Sequence, residues 1–371
     1  MKKKEYDVVV VGGGIAGVAA ALSARREGKS TLLVEANFAL GGLATLGLVA
    51  FYLPLDDGEG KQIANGISEE LLRLSVSCDS RHHLPSKWKE EGKRYEVEFN
   101  PSLFSLLLEK KLVEGGVDIL FGSTLIGVKK ENGRIIALDL ASRTERFVVQ
   151  GKSFVDASGD ASLCAYAGEE VLLSTNRNIL TYWWYENNRV KMMNGFHFSK
   201  TMIGEYQGID PYEVSDFSIR SHEGLLRAFL MGGNEKEDHS LTKIPLIPEL
   251  RMTRKLQGKY ALSKTDNHRF NPHSVGIFPN WVTIGESYEL PYECLTGNNI
   301  KNLYVAGRNI STYDDEMWDV VRSIPVCAVS GEAAGLLAAH FPSNDDIDIA
   351  LLSECFHKRN LIVHLDELGI K

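Results

Sequence analysis

Short apolar runs along the chain are spaced by alanine-rich or amphipathic stretches. Tyr6–Val11 is apolar except for Asp7 and rich in valine, the pattern of a strand buried on both faces. A glycine turn follows. Ile15–Glu27 is then alanine-rich and predicts a helix, with Gly28 as its C-terminal cap. Ser30–Val34 predicts a second buried strand ending at Glu35. Asn37–Pro54 reads as a glycine-rich loop, and Ile63–Leu74 as a helix. Residues 76–96 are polar and predict a solvated excursion. Asn100-Pro101 opens a helix to about Glu114, with proline in its first turn. Short strands are predicted at Asp118–Phe121, Thr124–Lys129, Arg134–Leu140 and Arg146–Val149, with a hairpin turn at Glu131-Asn132-Gly133. Ser153–Ala157 predicts one more buried strand.

From about Gly168 to Glu286 this rhythm is lost. Aromatics cluster at Tyr182, Trp183, Trp184 and Tyr185, and Ser221–Met231 is the clearest helix. The strand–helix rhythm resumes at Leu303–Gly307 and ends in a small-residue helix, Gly331–His340. The pattern predicts an α/β fold: a Rossmann-like dinucleotide domain from residues 1–167 and 287–345, an inserted α+β substrate or cap domain from 168–286, and a helical tail from 346–371.

Composition adds bounds. The 371 residues carry a formal net charge of −8, which argues against nucleic acid as a partner. Cys78, Cys164, Cys294, Cys327 and Cys355 form no CxxC pair, so a zinc ribbon, an iron–sulfur cluster and a redox dithiol are not expected. Scattered thiols suit a reducing, cytoplasmic setting. Lys2-Lys3-Lys4 before an apolar run mimics a signal peptide, but Gly12-Gly13-Gly14 interrupts it, so a buried strand is expected. No apolar stretch reaches the roughly 20 residues of a membrane span.

The sharpest motif is Gly12-Gly13-Gly14-Ile15-Ala16-Gly17, a GxGxxG between a buried strand and a helix. Glu35 follows Gly17 by eighteen positions, at the end of the next strand. Gly12 suits the tight turn, Gly14 the approach of backbone to a pyrophosphate, and Gly17 close helix–sheet packing. The helix N-terminus favours phosphate. Glu35 suits the adenosine ribose hydroxyls and repels a 2′-phosphate, so NADP is disfavoured here.

Four later segments carry a resemblance. Gly41-Gly42-Leu43-Ala44-Thr45-Leu46-Gly47, Asp156-Ala157-Ser158-Gly159-Asp160, Leu303–Arg308 and Ser330–Gly335 resemble the recurring FAD-contacting segments of fumarate-reductase-like and glutathione-reductase-type flavoproteins. The chain is similar to a bacterial branch with GGxATxG, RxTR (Arg251–Arg254) and AGRxxS (Ala306–Ser311) motifs. The resemblance implies FAD as cofactor. It implies contacts at Gly12, Gly14, Ile15, Ala16, Gly17, Glu35 and Ala36, and at Gly41, Gly42, Ala44 and Thr45. Leu125, Ala157, Gly159, Gly307, Arg308, Gly331 and Ala333 complete the expected set. A helix starting at Ser330–Gly331 would aim its positive end at the reduced flavin, and Ala328, Gly331, Ala333 and Ala334 would admit the ring; close helix packing explains the same small residues. No histidine falls within Gly41–Gly47, where some relatives attach FAD, so the cofactor is expected to be noncovalent. A second GxGxxG is lacking, so electrons are expected to pass directly to or from substrate, a partner protein, a quinone or oxygen.

Arginines are the candidates for chemistry. Arg254, with Arg251, and Arg322, near Asp319, could clamp a carboxylate or move a proton; each could instead form ordinary ion pairs. Tyr52 and His82 are weaker candidates, His82-His83 lacks any metal-ligand pattern, and no serine or cysteine has a triad context. These features predict an FAD-dependent oxidoreductase acting on a small organic molecule. A flavoenzyme with no net redox change and a redox-sensing FAD module are the alternatives. The electron acceptor is not named by the sequence, and a homo-oligomer is compatible with it.

Overall fold

Buried valine runs nucleate the central sheet. β1 (Glu5–Val11) carries Val8, Val9 and Val10 with no exposed surface, each worth on the order of 1.5–3 kcal/mol on burial. The computed structural model describes residues 5–84, 94–174, 178–194, 206–232 and 239–370. Lys2–Lys4 and the Lys87–Lys93 part of the polar excursion lie outside them.

After the glycine turn comes α1 (Ile15–Arg26), and then β2 (Thr31–Val34), which pairs parallel with β1. β3 (Phe51–Tyr52) and β4 (Val97–Glu98) form a small antiparallel pair on either side of α2 (Ile67–Ser75). α3 (Pro101–Glu114) starts as its sequence predicts: the Asn100 side chain accepts from the Ser102 and Leu103 amides. β5 (Asp118–Leu120) extends the sheet beyond β2 in parallel. β6 (Thr124–Glu131) and β7 (Arg134–Ser142) form the hairpin, with φ of +50° at Asn132 and +73° at Gly133.

The strands predicted at Arg146–Val149 and Ser153–Ala157 are one, β8 (Glu145–Asp156). Its first half pairs antiparallel with β7, and β1 runs parallel along its other edge. Gly151 looks like a breaker in sequence, but it sits where a side chain would press on Val9 and Phe154, at 2.8 and 3.1 Å. α4 (Ser162–Ala167) follows.

The next stretch is a set of small sheets. β9 (Val171–Leu173), β10 (Thr181–Glu186) and β11 (Arg189–Asn194) precede α5 (Pro211–Gly232), which is longer than the predicted Ser221–Met231. β12 (Leu241–Lys243), β13 (Arg254–Leu256), β14 (Ser274–Pro279) and β15 (Ser287–Pro291) follow. β10 is flanked by β11 and β12, β13 pairs with β9, and β14 with β15. β16 (Leu303–Val305) then returns to the main sheet, parallel to the end of β8. The result is a seven-stranded sheet in the order β5-β2-β1-β8-β7-β6, with β16 also on β8. This is the α/β Rossmann-like class.

α6 (Asp315–Val321) leads into α7 (Ile324–His340), and α8 (Ile349–Arg359) closes the chain with a single 3₁₀ turn, Leu365–Leu368. α7 begins at Ile324 rather than Gly331. It is buried nearly all round, so its apolar residues trace no stripe that would mark its start. Among the described residues, no single helix is long and apolar enough to cross a membrane.

Candidate active site

The carboxyl ends of β1, β2, β8 and β16 open onto a cavity of about 790 Å³. This is the edge at which open α/β sheets bind ligands.

The glycines of the first turn divide their work. Gly12 has φ of +103°, and a side chain there would collide with the Ala157 carbonyl. A side chain on Gly17 would strike the Gly12 carbonyl, so Gly17 serves packing and does not line the cavity. Gly14 has nothing within 4 Å of its Cβ position and faces the cavity. No side chain caps α1 at Gly14, and Ile15 and Ala16 line the wall. The positive end of α1 is therefore available to an anion.

Glu35 Oε2 accepts from the Gly13 amide at 2.6 Å, and Oε1 from the Asn37 amide at 2.7 Å. The carboxylate is thus fixed at the cavity edge with lone pairs to spare. Ala36 and Leu125 complete that wall. Gly41, with φ of +103°, donates its amide to the Gly13 carbonyl at 2.8 Å, drawing the second glycine loop onto the first. Gly42 and Ala44 line the cavity behind it. Thr45 does not; its buried hydroxyl donates to the Leu40 carbonyl and braces the loop. Ala157 and Gly159 stand on the opposite wall with Gly307 and Arg308. Arg308 donates to the Gly159 carbonyl, and burial lowers its pKa.

Gly331 and Ala333 lie away from the cavity. Gly331 packs so closely that a side chain would collide with the Ala16 carbonyl, and Ala333 is buried within α7. The start of α7 is what borders the cavity, through Ser323, Ile324 and Cys327. The helix terminus expected at Ser330 is therefore supplied at Ser323.

The far end is built by the middle of the chain. Phe51, Leu53, Trp183, Ile247, Pro248 and Trp281 make its apolar walls. Arg322 lies in it, with its Nε 2.7 Å from Asp319 and its guanidinium 5.9 Å from the Trp281 ring centre. Arg254 does not reach the cavity. It donates to the Asp160 carbonyl at 2.9 Å and lies 3.6 Å from the Asp160 carboxylate, behind the wall. Arg251 of the same motif lines the cavity instead. Tyr52 is fully buried and donates to the Ser68 carbonyl, and His82 pairs with Asp79; neither lines the cavity.

Sequence reasoning missed Glu249. It lines the cavity at 5% exposure, with Oε1 accepting from Trp183 at 3.3 Å and from Arg251 at 3.1 Å. Its Oε2 is buried without a hydrogen-bond partner. Burial raises its pKa, opposed by Arg251 and Arg322. No local pattern flags it, because Trp183 and Arg322 reach it from distant segments. The site combines an uncapped helix end, a fixed carboxylate and a partly aromatic pocket holding arginines and a buried acid. This donor set fits FAD, and the open space at Gly14 fits its pyrophosphate.

The family described as "FAD dependent oxidoreductase" matches residues 7–181 and 172–352. A thioredoxin reductase of Ureaplasma parvum serovar 3 is 38% identical over 77 residues, 21% of this chain and 25% of that one. A digeranylgeranylglycerophospholipid reductase of Thermoplasma acidophilum is 24% identical over 182 residues, 48% of this chain and 46% of its own length. The chain therefore spans less than half of either curated relative. Among solved structures, a geranylgeranyl bacteriochlorophyll reductase-like protein of Thermoplasma acidophilum superposes with a TM-score of 0.49 at 16% identity, covering 96% of this chain and 84% of that one.

Proposed function

The chain belongs to the FAD-dependent oxidoreductases, an enzyme family with FAD as cofactor, and from that premise we propose that it passes a hydride between a small organic substrate and flavin N5. The observation that carries this reading is the far end of the cavity, where aromatic walls enclose Arg251, Arg322 and Glu249.

Bound FAD supplies the hydride chemistry. The protein supplies binding, orientation and the proton. Gly12–Ala16 and the start of α1 would hold the pyrophosphate, Glu35 the ribose, and Ala157–Gly159 with Gly307–Arg308 the facing wall. The retention is noncovalent in this reading. Trp183 and Trp281 exclude water beside the reacting carbon, which strengthens every charge interaction there. Arg322, held by Asp319, presents a directed guanidinium to an electron-rich group of the substrate. Glu249, kept toward its neutral form by burial, gives or accepts the accompanying proton. In this reading the flavin exchanges electrons directly with the substrate.

The test is anaerobic mixing of purified holoprotein with panels of small acids, alcohols, amines and their unsaturated or carbonyl counterparts. One class should bleach the oxidised-flavin absorbance or restore it after chemical reduction. Catalytic turnover of a substrate with no change in redox state of substrate or flavin would overturn the proposal.

A further inference from the structure

α1 and α7 both start at the cofactor cavity and pack side by side, Gly331 against the Ala16 carbonyl and Gly335 against that of Ala20. They also end together. Glu27 follows the last turn of α1, His340 is the last residue of α7, and Cys355 reaches the same point from α8. One carboxylate oxygen, one imidazole nitrogen and one sulfur there all lie within 4.8 Å of one another.

An ion pair accounts for Glu27 and His340 and leaves the Cys355 sulfur beside them unexplained. His340 Nε2 lies 2.8 Å from Glu27 Oε2, and the same nitrogen lies 3.6 Å from Cys355 Sγ. A ring nitrogen carries either one hydrogen or one lone pair, so it cannot serve both neighbours fully. A divalent ion at the point of convergence satisfies all three. We propose that Glu27, His340 and Cys355 form a metal site of the zinc class, with water in the fourth position, that clasps the far ends of α1 and α7 to α8.

The chemistry and spacing agree with this assignment. Thiolate, imidazole and carboxylate together select zinc or cobalt over magnesium or calcium. At zinc–ligand lengths of about 2.3 Å for sulfur and about 2.0 Å for nitrogen, a tetrahedral angle sets the two ligands about 3.5 Å apart, close to the spacing of Cys355 Sγ and His340 Nε2. The 2.8 Å nitrogen–oxygen spacing is the hydrogen bond that the metal replaces, and it opens by about half an ångström on binding. Arg359 lies 3.5 Å from the other oxygen of Glu27 and is itself fixed by Ser23 at 2.9 Å and Glu332 at 2.6 Å. It orients the carboxylate so that Oε2 is left for the site. The thiolate and carboxylate balance a dipositive ion. The side chains of His340 and Glu27 are 22% and 18% exposed, which leaves a path for the metal and its water.

The experiment uses FAD-loaded protein stripped of metal by chelator and titrated with Co²⁺. A sulfur-ligated tetrahedral cobalt site gives ligand-field bands to the red of flavin absorbance. Those bands should saturate at one cobalt per chain and vanish on adding one zinc. Cys355→Ser should abolish the intense bands and weaken binding more than about 10-fold, and zinc should raise the melting temperature of the parent but not of the variant. Should Cys355→Ser fail to fold by circular dichroism, His340→Gln serves the same reading. Parent protein without saturable bands, or a folded variant that binds cobalt as the parent does, overturns the site.

Discussion

Gly12, Gly14 and Gly17 are the same residue type within six positions, yet their surroundings set different tests. A methyl group on Gly17 would collide with the Gly12 carbonyl, which cannot move without breaking the turn, whereas one on Gly14 meets nothing within 4 Å. Gly17→Ala should therefore lower the unfolding free energy by about 1–3 kcal/mol, the usual range for overpacking, and urea titration of the apoprotein reads it directly. Gly14→Ala should leave that titration unchanged and weaken FAD binding at least about 10-fold, because the methyl group fills the space that the pyrophosphate needs. The arginines divide in the same way. Arg322→Ala should raise KM or cut kcat about 10²-fold with FAD content retained, since it lines the cavity, and Arg254→Ala should chiefly cost stability, since it anchors Asp160. For Glu249→Gln the expected result is a kcat loss of about 10²–10⁴-fold and the disappearance of one limb of the pH–rate profile. The glycines were legible in the sequence because the spacing of one short motif marks all three, whatever the separate reason for each. Glu249 was not, because Trp183 and Arg322 come to it, and to its neighbour Arg251, from separate segments.

Among the elements, α1 and α7 matter most, since both border the cavity with their first turns. Their contact is backbone on backbone: side chains on Gly331 or Gly335 would land on the carbonyls of Ala16 and Ala20. Gly335→Val should separate the helices and cost about 1–3 kcal/mol or more, measured by thermal unfolding with and without FAD. Because this shifts the turn proposed to hold the pyrophosphate, FAD should also dissociate faster from that variant; equal dissociation rates would show the packing and the site to be independent. The first strand–helix–strand unit was readable because its valine and alanine runs have clear lengths and boundaries. α7 was misplaced at its start because a helix buried on all sides has no polar face to mark where it begins. β8 was split in two because Gln150-Gly151-Lys152 interrupts its apolar residues, while in the strand the close approach of Val9 and Phe154 leaves no room for a side chain at Gly151. The small sheets from β9 to β15 lack long periodic runs, and two of their pairings, β10 with β12 and β13 with β9, join strands far apart along the chain.

Across the whole molecule, the C-terminal segment is fastened to the middle of the chain by Glu289 of β15. This carboxylate accepts from the Leu365 amide at 2.8 Å and meets His364 Nδ1 at 3.1 Å, while the His364 ring stacks on Phe270 at 4.9 Å. The hydrogen bond to Glu289 raises the His364 pKa above its ordinary 6.5, outweighing partial burial. The folded protein thus binds this proton more tightly than the unfolded chain does. The stabilisation is fully present below the unfolded value of 6.5 and is lost as pH rises through the higher folded value. At the acidic extreme the sign reverses. Asp7 is held below the usual carboxylate range by the hydrogen bond from Lys152, so its contribution is present above 3.8 and fades as pH falls further. The two windows do not overlap, which lets one experiment isolate the histidine. The urea midpoint of the parent should be higher at about pH 6 than at about pH 8.5, and His364→Gln should shrink that difference by lowering the pH 6 value alone. A variant whose midpoint keeps the full parental pH dependence would mean that the C-terminal segment is held by packing and by the Leu365 amide, with the imidazole charge playing no part.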